Sequence, residues 1–261
     1  MTTIGLALGS GGAKGFAHVG VLRALEEHGV RVGVISGSSM GGLVAAFYAT
    51  GMQPAFMEQL ATTLRRRHWI DFTVPKMGMV SGDRVRTMVA LLTRQLAIEQ
   101  ANIPLAIVAT DLLNRRKVVF KSGSIADAVR ASVSIPGVFV PVVHDGGVLV
   151  DGGVLDRVPV EVTRELGADK VIAVDVSTNT LPQPPTSLVD VFFQSLDLMQ
   201  EQVYAGVRQS ADVTIVPDVS AVGISQFGKA KIAIEAGYEA ALQKINDIDD
   251  MLQTVKTLRN G

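Results

Sequence analysis

The residues most able to do chemistry surround Ser39. They read Gly37-Ser38-Ser39-Met40-Gly41, a match to the G-x-S-x-G pattern. The apolar run Val32 to Ile35 precedes them and has the character of a buried strand, while Leu43 to Thr50 follows as a helix. A strand that turns sharply into a helix pushes the central hydroxyl out of the sheet. Side chains two residues before and after the serine would strike neighbouring backbone, which accounts for Gly37 and Gly41. The free N–H groups of the helix start favour negative charge beside the hydroxyl. The chemistry on offer is nucleophilic attack on an acyl carbonyl. The competing reading is a plain strand-to-helix turn, and the pattern alone is a weak signal in a glycine-rich chain.

A serine nucleophile needs a base or an orienting partner. Of the four histidines, His18 and His28 fall in the first helix, His68 beside Arg65-Arg66-Arg67, and His144 in a hairpin turn. None gives a persuasive Ser, acid, His order, and His144 is the only conceivable candidate. Asp151-Gly152-Gly153 is better placed, since it directly follows the strand-like Val148 to Val150 and its glycines leave room for access. Asp145-Gly146-Gly147 is a near-duplicate, but Asp-Gly favours tight hairpin turns. Asp151 is therefore the better-placed partner for Ser39, as base or as orienting group.

The loop Gly9-Ser10-Gly11-Gly12-Ala13-Lys14-Gly15 follows another buried strand, Ile4 to Leu8, and opens the helix Phe16 to His28. Its plainest reading is a tight turn. Dinucleotide binding is disfavoured because Ser36-Gly37 stands where an acidic ribose ligand would be expected. A P-loop fails because Lys14 precedes Gly15 and Phe16 rather than Ser or Thr. A third reading is an oxyanion hole, in which backbone N–H groups of Gly11, Gly12 and Ala13 meet a developing negative charge. Each such donor is worth roughly 3–4 kcal/mol.

Positioning these segments requires a sheet. Further strands are expected at 105–109, 117–120, 170–174 and 213–216, and a hairpin joins 138–143 to 148–150 across His144-Asp-Gly-Gly147. Helices are expected at 54–67, 84–96, 125–132, 158–166, 188–209 and 232–258, with 71–83 as loop and 181–185 as a proline-rich linker. Helices alternating with buried strands imply an α/β protein with a mostly parallel central sheet covered on both faces. One domain over residues 1–261 is expected, with a helical C-terminal part from about 187.

Four segments together resemble the signature blocks of the patatin-like phospholipase family. They are Gly11-Gly12-Ala13-Lys14-Gly15, the turn around Ser39, Arg130-Ala-Ser-Val-Ser-Ile-Pro-Gly-Val-Phe-Val-Pro141, and Asp151-Gly152-Gly153. Their order and separations match as well, over about residues 4–175, and the chain is most similar to small bacterial members. The resemblance implies a three-layer α/β/α fold and a Ser–Asp dyad in place of a triad. It puts the nucleophile at Ser39, the dyad aspartate at Asp151 and the oxyanion glycines at Gly11 and Gly12. It also implies hydrolysis of lipid acyl esters through an acyl-enzyme, of phospholipase A or lysophospholipase type. The chain departs from the family at Ser10, usually Gly, and at Lys14, often Arg. Because Arg and Lys bond differently, the role of Lys14 stays open against that of a solvated residue at a helix start. The alternatives are a general carboxylesterase of short-chain esters and a non-catalytic lipid-binding regulator on the same fold.

The composition fits a globular protein, with 48% hydrophobic and 19% charged residues. A net charge of −1 offers no large surplus for binding nucleic acid or an anionic membrane. There is no cysteine, so thiol catalysis and disulfides are excluded, and no cluster suggests a metal or other cofactor. The longest apolar stretch, 138–150, is broken by Pro141, His144 and Asp145 and is too short to span a bilayer. A cytoplasmic location is expected, and transient contact with a membrane surface is considered beside it. Arg65 to Arg67 beside Trp69 could make that contact or be a solvated helix end. Residues 68–83, with Trp69, Phe72, Met77 and Met79, are considered as a lid over an acyl pocket against ordinary packing.

Overall fold

The computed structural model describes residues 2–63, 71, 77–177, 184, 191, 194–199 and 210–259, with side chains through residue 253. Five parallel strands form the body of the sheet: β1 (Ile4–Leu8), β2 (Val34–Ser38), β4 (Leu105–Asp111), β9 (Lys170–Val174) and β10 (Val213–Ile215). They stand in the order β10-β9-β1-β2-β4. Helices joining parallel strands must cross the sheet faces. The connections here are α1 (Ala17–Glu27) between β1 and β2, α2 (Met40–Ala49), α3 (Pro54–Thr63) and α4 (Asp83–Leu92) between β2 and β4, and α6 (Val160–Glu165) before β9. The chain ends in α7 (Ala230–Gln243) and α8 (Ile245–Arg259).

The two faces differ in thickness, and the strand residues show why. Leu6, Leu8, Ile35, Ile107, Ile172 and Val174 point to one side and form the main core with Val19, Leu22, Leu25, Phe47 and Ile234. Ala7, Ala173 and Val171 point to the other side and meet Val158 and Val160, while Ala106 and Val108 meet Val162. Large side chains thus build the thick layer, and small ones admit the short α6. This is the α/β/α arrangement expected from the sequence.

Near β4 the sheet changes character. β5 (Arg116–Phe120) pairs antiparallel with Ile107–Asp111 along one edge of β4. β2 occupies the opposite edge, opposite Leu105–Val108. β8 (Gly147–Asp151) pairs antiparallel with Ala109–Asp111. Since β5 already covers that stretch from the far side, β8 must continue along the edge where β2 stops. Ser38 lies opposite Val108 and Asp151 opposite Ala109. The ends of β2 and β8 therefore meet along one edge of β4.

Several boundaries differ from those the sequence suggests. β2 begins two residues later than expected and runs through Ser36-Gly37-Ser38, which are small, buried residues without an apolar signature. The expected strand 138–143 is divided. Gly137–Phe139 forms β6, which pairs with β3 (Gly78–Val80) in a separate two-stranded sheet, and Val142–His144 forms β7 against β8. Pro141, which has no N–H for a ladder, separates them. β3 lies in the stretch expected to be loop, because three residues are too few to show alternation. The expected C-terminal helix is two helices that meet at Lys244. The basic run 65–67 and most of 188–209 lie outside the described residues. Among the described residues, no helix is long and apolar enough to cross a membrane.

The thick layer depends on close passage of α1 and α7. A Cβ on Gly20 would lie 1.8 Å from the Ile234 carbonyl oxygen, and one on Gly237 would lie 1.9 Å from that of Ala17. Each overlap is with helical backbone and forces the helices apart, at a cost of about 1–3 kcal/mol or more. Gly20→Ala should therefore lower the thermal unfolding midpoint by roughly 2–10 °C. Gly228→Ala, where a Cβ meets open space, should leave it nearly unchanged. Equal midpoints for the two variants would contradict the packing.

Candidate active site

Ser39 is the pivot between β2 and α2, with φ 55° and ψ −123°. Such a backbone is unfavourable for a residue with a side chain and persists only where its surroundings enforce it. Gly37 and Gly41 let the turn close as expected. A Cβ on Gly37 would lie 2.3 Å from Gly41 backbone, and one on Gly41 would lie 2.2 Å from the Leu8 carbonyl oxygen. Ser132, at the end of α5 (Ile125–Ser132), supplies the rest. The Ser39 N–H donates to Ser132 Oγ at 2.8 Å, and that hydroxyl donates to the Val108 carbonyl at 2.6 Å. The Leu43 N–H reaches back to the Ser39 carbonyl and starts α2. The first N–H groups of α2 are left without intrahelical acceptors.

The turn aims the Ser39 hydroxyl at Asp151. Ser39 Oγ donates to Asp151 Oδ2 at 2.5 Å, and the Gly153 N–H donates to Oδ1 at 2.8 Å. The Asp151 N–H donates to the Ser134 carbonyl at 2.9 Å. Both side chains are buried. Burial raises the Asp151 carboxyl to about 6, against the opposing pull of the Ser39 hydroxyl, the Gly153 N–H and the Arg157 charge. A carboxylate so poised can take up a proton near neutral pH. Gly152 and Gly153 are tightly packed: a Cβ on Gly152 would meet the Val108 carbonyl oxygen, and one on Gly153 would meet Ser10 Oγ.

The glycine loop lies beside this pair. The Gly9 N–H donates to Val174 and the Ser10 N–H to Arg157, and the chain then enters a 3-10 turn over Gly12–Phe16. A Cβ on Gly15 would touch the Met40 side chain, so the loop packs directly on the turn that carries Ser39. The N–H groups of Gly11 and Gly12 have no backbone acceptor among the described residues. Ala13 is different. Its N–H donates to the Ile224 carbonyl at 2.9 Å and is not available to an oxyanion.

Lys14 is not the solvated helix-start residue considered above. It is buried, and burial is the main influence lowering its pKa. The charges of Asp197 and Asp175 oppose that effect, and Arg157 adds to it. Arg157, itself buried, reaches Asp197 Oδ1 at 3.2 Å. No motif announced this charged group, whose members come from separate parts of the chain.

The histidines are occupied elsewhere. The His18 Nε2–H donates to the Gly9 carbonyl at 2.7 Å, and burial lowers its pKa to about 4. His28 bonds the Ala24 carbonyl near the end of α1. His144 contacts Asp145 and the Phe120 ring. Asp145 lies in the β7–β8 turn with φ 47°, followed by Gly146 at 76°, as expected of a tight hairpin. His68 is outside the described residues. Among those residues no group of three or more His, Cys, Asp or Glu could hold a metal ion.

In the sequence the segment from Arg130 carries no signal of what its individual residues do. Besides Ser132 and Ser134, Arg130 acts as a clamp. It donates to Ser134 Oγ at 2.6 Å, to the Val140 carbonyl at 2.7 Å and to the Ser81 carbonyl. This ties β3, β6 and the end of α5 together. Asp71 in turn accepts from the Gly82 and Arg84 N–H groups. Residues 77–83 of the stretch considered as a lid are thus held by a strand pairing and an arginine. Residues 68–70 and 72–76 lie outside the described residues.

Residues 6–164 match the family model described as patatin-like phospholipase. The chain belongs to the patatin-like phospholipase family. It is 39% identical over 176 residues to an uncharacterised NTE family protein of Mycobacterium tuberculosis, an alignment covering 67% of this chain and 49% of that protein. It is 35% identical over 189 residues to the human patatin-like phospholipase domain-containing protein 6, covering 67% of this chain and 13% of that one. The chain thus spans about half the length of the mycobacterial relative and far less of the human one. Among solved structures, VipD from Legionella pneumophila shares the fold with a TM-score of 0.67 at 17% identity, covering 94% of this chain and 66% of that one. Patatin-like ExoU from Pseudomonas aeruginosa, in complex with SpcU, gives 0.52 at 16% identity, covering 94% and 52%.

Ser132→Ala removes the acceptor that holds the Ser39 N–H and leaves that buried group and the Val108 carbonyl unpaired, a cost of about 1–3 kcal/mol. Denaturant unfolding should show this loss. Ser132→Thr, which keeps the hydroxyl, should recover part of it. An unchanged stability for Ser132→Ala would mean that the backbone at Ser39 holds itself.

Proposed function

We infer that this protein hydrolyses acyl esters of lipids, with Ser39 as nucleophile and Asp151 as proton acceptor. The observation that carries the reading is the 2.5 Å hydrogen bond from Ser39 Oγ to Asp151 Oδ2 at a turn of unfavourable backbone geometry. Asp151 takes the hydroxyl proton as Ser39 Oγ bonds to the acyl carbon. The negative charge that develops on the carbonyl oxygen meets the N–H groups of Gly11 and Gly12 and the start of α2. Asp151 then gives its proton to the departing alcohol oxygen, and the ester C–O bond breaks. Water attacks the acyl-enzyme as Asp151 removes one of its protons. The fatty acid leaves, and Ser39 regains its hydrogen. Every proton passes through the one carboxylate.

The lipid class rests on membership of the family and on relatives bearing the name lysophospholipase, such as that of Pyricularia oryzae, 26% identical over 95% of this chain and 19% of that protein. A phospholipid or lysophospholipid ester is the substrate proposed.

A fluorophosphonate probe should label the wild type at Ser39 and leave Ser39→Ala unlabelled, with ester turnover falling to background. Asp151→Asn should lower kcat/KM by about 10²–10⁴-fold. Because burial disfavours the charged carboxylate, the folded protein binds this proton more readily than the unfolded chain does. The ionised form therefore costs stability above about pH 6. The uncharged amide should accordingly not lower the unfolding midpoint at neutral pH, which separates lost chemistry from lost folding. Retained turnover in Ser39→Ala would overturn the reading.

A further inference from the structure

The turn between β4 and β5 is built to expose apolar side chains. Leu112 to Lys117 are six consecutive exposed residues, and Leu112 and Leu113 are 49% and 63% exposed. The turn is braced from beneath by the buried Asp111 carboxylate. It accepts from the Leu113 N–H at 3.0 Å, from Asn114 Nδ2 at 2.6 Å, and at 3.3 Å from the Asn114 and Val148 N–H groups. The two leucines are therefore held outward by a fixed scaffold.

The neighbouring strands extend the apolar surface. Leu149 lies opposite Asp111, so Leu112 comes opposite Val148, and its N–H donates to the Val148 carbonyl. Val148 lies opposite Val143, which is 73% exposed. Residues directly opposed across strands share a face, so Leu112, Val148 and Val143 form one row. In the same turn Arg115 and Arg116 are exposed and without an ion-pair partner among the described residues, Arg116 lying opposite Asp111 and so on the other face from that row, while Lys117 pairs with Asp156 at 2.7 Å. The acidic residue of the adjoining turn, Asp145, is 3.3 Å from His144.

The placement relates this tip to Ser39. Val108 of β4 lies opposite Ser38. Leu112 is four residues further on, just past the end of β4 at Asp111, roughly 13 Å at about 3.3 Å per residue. The tip thus stands beyond the Ser39–Asp151 pair, past the end of β2 that carries Ser39.

We propose that the β4–β5 tip is a lipid-docking element, in which Leu112 and Leu113 enter an anionic lipid surface and Arg115 and Arg116 meet its phosphates. The charge pattern selects this occupant. Exposed apolar side chains and unpaired cations share this one short turn, which suits a surface that offers both hydrocarbon and anionic headgroups. The chain as a whole carries a net charge of only −1, so the attraction is local to the tip. The purpose of docking rests on the lipid-hydrolase reading, since it would bring ester to Ser39, but the binding itself does not depend on catalysis.

Sedimentation with vesicles tests this, using vesicles of phosphatidylcholine alone and of an equal mixture with phosphatidylglycerol. It is done in the Ser39→Ala background so that no lipid is consumed. The protein should bind the mixed vesicles, less so in high salt, and bind pure phosphatidylcholine weakly. Leu112→Ser with Leu113→Ser should reduce partition onto mixed vesicles about tenfold. Arg115→Asn with Arg116→Gln should reduce it about twentyfold on mixed vesicles only; Asn suits position 115, where φ is 50°. With Ser39 restored, both double variants should turn over a soluble short-chain ester as the wild type does. Absent binding to mixed vesicles, or binding unaffected by either pair, overturns the proposal. So does loss of soluble-ester turnover, which would make the tip part of the site, or capture by an acidic protein without any vesicle binding. Failure of Ser39 chemistry would appear instead as missing turnover with tip-dependent binding intact.

Discussion

One edge of β4 governs this molecule. It accepts β2 over its first half and β8 over its second, and the two strands arrive from opposite directions. Ser38 and Asp151 are thereby set against adjacent residues of the same strand, Val108 and Ala109. Residues far apart in the chain come within hydrogen-bonding reach because a ladder register leaves them nowhere else to go. A slip of one residue in β8 would turn the Asp151 side chain to the other face of the sheet.

The end of α5 locks that register from one side. Ser132 holds the Ser39 N–H and Ser134 holds the Asp151 N–H, two residues apart on one short segment. The glycine loop closes the other side, packed on Met40 and anchored through Gly9 by His18. Stability is conceded at the centre, where a serine adopts a left-handed backbone and a carboxylate is buried beside a hydroxyl. The surrounding hydrogen bonds and the alternation of large and small strand residues sustain that strain. A carboxylate held near neutral pKa by burial is suited to exchange protons with a serine without an intervening imidazole.

Much of this was legible in the sequence, and the reason is local physics. G-x-S-x-G between a strand and a helix marks a sharp turn whatever lies around it. Asp145-Gly146 and Asp151-Gly152 could be told apart because only the first suits a two-residue hairpin. The parallel core strands were visible as continuous apolar runs. What stayed hidden depends on distant partners. Ala13 resembles its neighbours in the glycine loop, yet its N–H is taken by Ile224, more than two hundred residues away. Lys14 at a helix start gives no sign that it is buried near Arg157 and Asp197. β3 and β6 are three residues each and form only against one another. Ser132 and Ser134 are ordinary helix-end serines until the sheet brings Ser39 and Asp151 to them.

The central claim is that Asp151, at a pKa raised by burial, is the base for Ser39. The most direct measurement is the rate of fluorophosphonate labelling at Ser39 as a function of pH. The account predicts a rate that is flat above about pH 6 and falls roughly tenfold per unit below it, as Asp151 takes up its proton. In Asp151→Asn the labelling should be slow and should lose that inflection. A rate independent of pH across this range, or an inflection that survives in Asp151→Asn, would contradict it.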